Sequence, residues 1–222
     1  MLLKEVFGDR RIVGFAGAKD SGKTNNLMAL IKNFRQHNKD TPIYVFGLEQ
    51  SALNWLAKNF RGIYEVSGLS QLSNKRDALI VIDEMQLIKL NSRKHTEALN
   101  KFVDFIYHHN NWVILTSPSL REFNSIIGSK IERFILKSMS IPDLVNGSQL
   151  KDVVVNYNGR CKSLDSIEVG KDKILIINEE HEKVIELEYI KEVDSKLKNV
   201  NIFEINDAKL SGRKSGKLSG DE

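Results

Sequence analysis

The stretch GAKDSGKT, Gly17 to Thr24, sets two glycines five positions apart and follows the second with a lysine and a hydroxyl. Glycines let a chain curl so that several backbone N–H groups converge on one anion, and a lysine at the end of such a curl adds a full positive charge. The spacing is that of G-x-x-x-x-G-K-[ST], a loop that cradles phosphates. It nominates Gly17, Ala18, Lys19, Asp20, Ser21, Gly22, Lys23 and Thr24 as the binding set. In that chemistry Lys23 reaches the β and γ oxygens, and the Thr24 hydroxyl joins the coordination sphere of Mg²⁺. Lys19, inside the loop, offers either a further phosphate contact or a solvated charge.

A phosphate loop of this kind needs a carboxylate at the end of another buried strand to hold the metal, and LIVIDE supplies Asp83 after four apolar residues. Glu84 beside it is a second carboxylate, suited to orienting or deprotonating an attacking water. Water activation favours hydrolysis over transfer to an acceptor, so a small-molecule kinase is disfavoured, and no arginine-rich lid is visible. A third polar strand end is VILTSPS, where Thr116 is the first choice and Ser117 the second for sensing a γ-phosphate. The competing account makes both residues part of a turn, with Pro118 breaking the strand and Ser119 capping. Arg121 and Arg133 are the candidates for an arginine finger reaching a neighbouring subunit. Trp55 and Trp112 fit core positions better than base-stacking ones, and His108-His109 suits the negative end of a helix.

The elements that must hold these residues alternate. Residues 11–16 read as a buried strand built on the apolar run Ile12 to Ala16, and Ser21 to Gln36 is helical with Leu27, Leu30, Ile31 and Phe34 on one face. Then come a strand at PIYVFG, a helix over Leu53 to Phe60, strands at GIYEVS and ALIVIDE, and a helix from about Thr96 to His109. A strand at WVILTSPS, a short helix near Leu120 to Ile127 and a strand at ERFILK complete the series. Buried strands alternating with helices predict an α/β fold: a mainly parallel sheet covered on both faces, over residues 1–145. Beyond it KDVVVNY, KILIIN and KVIELEY are strands without room for crossover helices, which predicts a small antiparallel β extension over 146–200. Residues 201–222, rich in Ser, Gly, Lys and Arg, are expected to form a disordered basic tail; Lys209, Arg213, Lys214 and Lys217 are either a nucleic-acid contact or a solubilising end.

The 222 residues are 41% hydrophobic and 28% charged, with a net charge of +4, which suits a packed core and mildly favours an anionic partner. The single cysteine, Cys161, excludes an internal disulfide, and no His/Cys spacing suggests a zinc site. Charges interrupt the N-terminal apolar run, and no 18-residue uncharged apolar stretch occurs, so a cytoplasmic protein without direct membrane insertion is expected.

GAKDSGKT, ALIVIDEMQ and VILTSPS together resemble the RecA-like P-loop NTPases with a catalytic glutamate, most closely the FtsK and HerA class, which includes viral genome-packaging and Zot-like ATPases. The resemblance covers about residues 10–140. It implies a three-layer α/β/α sandwich and an ATP hydrolase using ATP and Mg²⁺ to translocate or package DNA. It also implies a homo-oligomeric ring, a hexamer among the sizes allowed, with a capsid or membrane complex as docking partner and host cytoplasm as location if viral. Carried over, Lys23 and Thr24 match the phosphate and magnesium positions, Asp83 the magnesium-coordinating acid and Glu84 the catalytic base. That class commonly has a glutamine where this chain has Thr116-Ser117-Pro118. A hydroxyl there is similar to AAA+ helicase loaders, which keeps open a nucleotide switch whose ATP state controls partner binding.

Overall fold

The computed structural model describes residues 6–7, 12–84, 101–102, 104–106, 108–120, 123, 130–131, 133–137, 139–140, 166–167, 171–177 and 182–193. The KDVVVNY segment, Cys161, Arg121 and the basic tail lie outside them. The strands are β1 (Ile12–Ala16), β2 (Ile43–Phe46), β3 (Ile63–Glu65), β4 (Leu79–Ile82), β5 (Trp112–Ser117), β6 (Arg133–Leu136), β7 (Met139–Ser140), β8 (Ser166–Ile167), β9 (Lys173–Ile177) and β10 (Glu182–Glu186). Two helices, α1 (Lys23–His37) and α2 (Gln50–Asn59), follow β1 and β2. A third stretch is helical at residues 101–102, 104–106 and 108, just before β5.

Eight strands form one sheet in the order β10-β9-β6-β1-β5-β4-β2-β3, and β7 pairs with β8 separately. The six strands from β6 to β3 are parallel, while β9 and β10 add to the β6 edge in antiparallel sense. The fold is therefore the expected α/β sandwich with a mainly parallel sheet. Its antiparallel addition has two parts: the β9–β10 hairpin extends the main sheet, and β7–β8 stands apart.

The alternation of side chains along each strand divides the core into two layers. On one face Val13, Phe15, Val81 and Ile114 meet Leu27, Leu30, Ile31 and Phe34 of α1 and Leu53 and Leu56 of α2. On the other, Ile12, Ile80, Ile82, Val113 and Leu115 meet Phe102 and Ile106, one helical turn apart. Phe34 packs edge-on against both Phe7 and Trp112, and Trp55 against Phe60. His109 ends its helix with Nδ1 3.2 Å from the Lys75 carbonyl.

Element boundaries shift for local reasons. α1 begins at Lys23, two residues later than its pattern predicts, because Ser21 and Gly22 belong to the loop and Gly22 takes a left-handed φ of 89°. α2 begins at Gln50, three residues earlier than predicted, because its first turn is polar and carries no periodic signal. Among the described residues no helix is long and apolar enough to cross a membrane.

Candidate functional site

In parallel strands the register decides which tips meet. Ala16 at the end of β1 lies opposite both Ser117 of β5 and Leu136 of β6, and Ile82 at the end of β4 lies opposite Leu115. The loops after β1, β4, β5 and β6 therefore emerge at one edge, where ligands sit in open α/β sheets.

After β1 the chain continues as a loop whose first amide, of Gly17, donates to the Ser117 carbonyl at 3.2 Å. A Cβ at Gly17 would lie 2.5 Å from the Lys137 Cβ and 3.0 Å from the Ser21 Oγ, so only glycine passes here. Asp20, with φ 62°, and Gly22, with φ 89°, turn the chain through left-handed conformations, the geometry that makes successive amides face one concavity. Gly22 caps α1 without a side-chain bond, so the amides of the first helical turn point out of the helix toward that concavity. The Ser21 Oγ, buried at this turn, has no hydrogen-bond partner. An orphaned hydroxyl, a glycine-shaped cradle and outward-facing amides together form a donor set that fits a phosphate chain.

The Lys23 ammonium folds back over the loop, donating to the carbonyls of Gly17 at 2.7 Å and Ala18 at 3.0 Å. Burial lowers its pKa, and the charges of Asp83, Glu84 and Asp20 oppose that shift. Both strand-end acids thus act on the loop lysine.

Asp83 is buried, its amide donating to the Phe46 carbonyl at 2.8 Å. The Thr116 hydroxyl donates to Asp83 Oδ1, and the Glu84 amide donates to that same hydroxyl at 3.0 Å. Burial pushes the Asp83 carboxyl up to about 6, the Thr116 bond opposes this, Glu84 adds to it, and Lys23 and the Glu84 amide oppose it. A buried carboxylate held this way gains from a cation, and Asp83 with the Thr24 hydroxyl is a suitable oxygen pair for Mg²⁺. Glu84 adopts φ 54°, which costs energy for a residue with a side chain, and its carboxylate is exposed. That turn frees Glu84 to face water while Asp83 points inward.

Thr116 is fully buried and engaged with both acidic residues, and Ser117 makes the turn: its Oγ donates to the Ser119 carbonyl at 2.8 Å and accepts from the Ser119 amide at 3.3 Å. Ser117 thus supplies a hydroxyl to the turn, while the amides that Ser119 would cap, at residues 121 and 122, lie outside the described residues. Arg133 is the first residue of β6, opposite Val13, about 10 Å along the strand from the phosphate-loop edge. Three residues at this edge escaped the sequence reading. Lys137 follows β6, is buried, donates to the Lys173 carbonyl at 2.5 Å and packs against Gly17. Asn25 and Asn26, in the first turn of α1, are buried and bonded to the chain around the hairpin. A polar residue ending a buried strand marks Lys137, as it marked Asp83; two asparagines in an otherwise apolar helix face mark the others.

No family model and no curated protein sequence matches the chain. Solved structures do. The DNA-packaging ATPase B204 from Sulfolobus Turreted Icosahedral Virus superposes with a TM-score of 0.58 at 13% identity, covering 81% of this chain and 98% of that one. B204 from Sulfolobus turreted icosahedral virus 2, solved with sulfate, gives 0.59 at 14% identity over 81% and 97%. EssC (ATPases 2 and 3) from Geobacillus thermodenitrificans gives 0.57 at 11% identity, over 92% of this chain and 45% of that one. At these identities the likeness is one of fold, shared with the packaging ATPase B204 and with EssC. In this fold GAKDSGKT occupies the turn from β1 into α1 and Asp83-Glu84 the tip of β4.

Proposed function

We propose that the protein is a Mg-ATP-dependent ATPase that couples hydrolysis to moving or packaging DNA, as a homo-oligomer. The observation that carries the reading is the parallel register that brings Asp83 and Glu84, at the tip of β4, to the same sheet edge as the loop after β1, which only glycine permits at Gly17. Gly17 to Thr24 bind the triphosphate through backbone amides, with Lys23 moving from the carbonyls of Gly17 and Ala18 to phosphate oxygens. Thr24 and Asp83 would hold Mg²⁺, which when bound neutralises charge on the phosphate oxygens. Thr116 keeps Asp83 aimed and, by accepting from its amide, keeps Glu84 at the tip. The Glu84 carboxylate orients an attacking water and takes its proton. Support for DNA as the track comes from the likeness to a DNA-packaging ATPase, together with the net charge of +4.

The second reading, a nucleotide switch governing a protein partner, draws support from the likeness to EssC and to the type VII secretion ATPase EccC from Thermomonospora curvata, with a TM-score of 0.56 at 10% identity over 81% of this chain and 24% of that one. One experiment separates them: ATP hydrolysis with and without DNA, at two salt concentrations, beside Glu84→Gln. DNA-stimulated turnover that fades with salt and vanishes in the variant, while ATP still binds, supports the motor. Turnover indifferent to DNA, or absent while ATP binds, supports the switch; absence of ATP binding ends both readings.

A further inference from the structure

The base of the β9–β10 hairpin grips the first turn of α1. Asn25 and Ile190, 165 residues apart, form a reciprocal pair: Asn25 Nδ2 donates to the Ile190 carbonyl at 2.7 Å, and the Ile190 amide donates to Asn25 Oδ1 at 3.0 Å. Next to it, Asn26 Nδ2 donates to the Lys171 carbonyl at 3.0 Å. That same carbonyl would lie 3.2 Å from a Cβ at Gly22. Lys171 precedes β9 and Ile190 follows β10, and the two sides of the base are joined by the Leu187 amide donating to the Asp172 carbonyl at 2.6 Å. Lys137 adds a link, its side chain packed on Gly17 and its ammonium on the Lys173 carbonyl.

An asparagine amide is costly to bury unless bonded. Here two stand in succession, both buried, directly after Lys23 and Thr24. A sheet addition that only covered the β6 edge would need neither.

We propose that the hairpin base is a working part of the phosphate site, with Asn25 and Asn26 as positioning residues that clamp the first turn of α1, and with it Lys23 and Thr24, onto the backbone of Lys171 and Ile190. The proposal rests on the reading of this turn as an ATP site. Because the same helical turn faces the phosphates with its amides and the hairpin with its asparagines, nucleotide binding and hairpin docking are thermodynamically linked. Occupancy of the loop is thereby passed to β9 and β10.

The test is hydrogen exchange on the full chain with and without Mg²⁺ and ATPγS, together with nucleotide affinity, kcat and KM, for wild type, Asn25→Ala, Asn26→Ala and Lys32→Ala. The last breaks the exposed Lys32–Glu188 ion pair, another contact of α1 with the chain after β10, and serves as the control. In wild type the nucleotide is expected to slow exchange about fivefold or more at residues 171–177 and 187–193, the low end of usual coupling between sites. Asn25→Ala should lose that linked protection and bind ATPγS about tenfold more weakly, Asn26→Ala should follow in the same direction, and Lys32→Ala should match wild type. A contact that served folding alone would lower the melting temperature and leave the linked protection intact, which overturns the proposal. So does a wild type that binds nucleotide, protects residues 17–24 and leaves hairpin exchange unchanged, a result that needs no variant to fold. A wild type that binds no nucleotide fails at the ATP site itself, a distinguishable outcome that removes the proposal with it.

Discussion

The Thr116 hydroxyl donates to Asp83 and accepts from the Glu84 amide, so one buried oxygen holds the Asp83 carboxylate and the Glu84 backbone. Thr116→Val keeps the shape and removes the oxygen, leaving Asp83 buried without that donor. We expect a stability loss of about 1–3 kcal/mol in urea denaturation. Turnover should fall about tenfold or more while ATP affinity changes little, with Thr116→Ser restoring most of both. Unchanged kcat in the valine variant would show that Asp83 needs no such anchor. Gly17→Ala tests the neighbouring loop. Its Cβ would meet the Lys137 Cβ at 2.5 Å, so the variant should lose nucleotide binding, measured by titration of a fluorescent ATP analogue, and overpacking should cost about 1–3 kcal/mol.

At the scale of elements, α1 joins the loop to the core. Its Phe34 is buried between Phe7 and Trp112, and Phe34→Ala should destabilise the chain by about 3–5 kcal/mol, read from the urea midpoint at constant slope. The tip of β6 carries a different kind of constraint. Burial lowers the Lys137 pKa from 10.5 to about 8, and Asp172 opposes the shift. Between pH 8 and 10.5 the unfolded chain then binds more protons at this residue than the folded one, so the residue's contribution to stability rises with pH across that window. Urea denaturation at pH 7.5, 9 and 10 should show wild type gaining on Lys137→Met as pH rises; parallel curves would contradict the assignment.

At the scale of the whole molecule, a ring acting on a charged polymer has two signatures. Specific ATPase activity should rise with protein concentration as subunits associate, and the rise should track assembly in analytical ultracentrifugation; activity independent of concentration from an unassociated chain would exclude a trans arginine. Affinity for DNA should fall log-linearly with salt. Arg133 begins β6, at the end away from the Gly17 loop, so an arginine-finger role for it would be played on a neighbouring subunit's nucleotide.

The sequence by itself determined the glycine turn between β1 and α1, the acidic pair at the tip of β4 and the alternation of strands and helices, because each of these is local. Glycine spacing fixes where the backbone can turn, and four buried apolar residues before Asp83 fix a strand that ends in a charge. The same locality explains the agreement of Leu27, Leu30, Ile31 and Phe34 with the buried face of α1. Strand order is another matter, since β1 is far in the chain from β5 and β6, and only packing inserts it between them. Tertiary structure alone turned Thr116 toward Asp83, brought Lys137 against Gly17, and matched Asn25 to Ile190, contacts across 33, 120 and 165 residues. No periodicity encodes such pairs. They follow from burial, which makes an unpaired hydroxyl, ammonium or amide costly and so selects the fold in which each finds its partner.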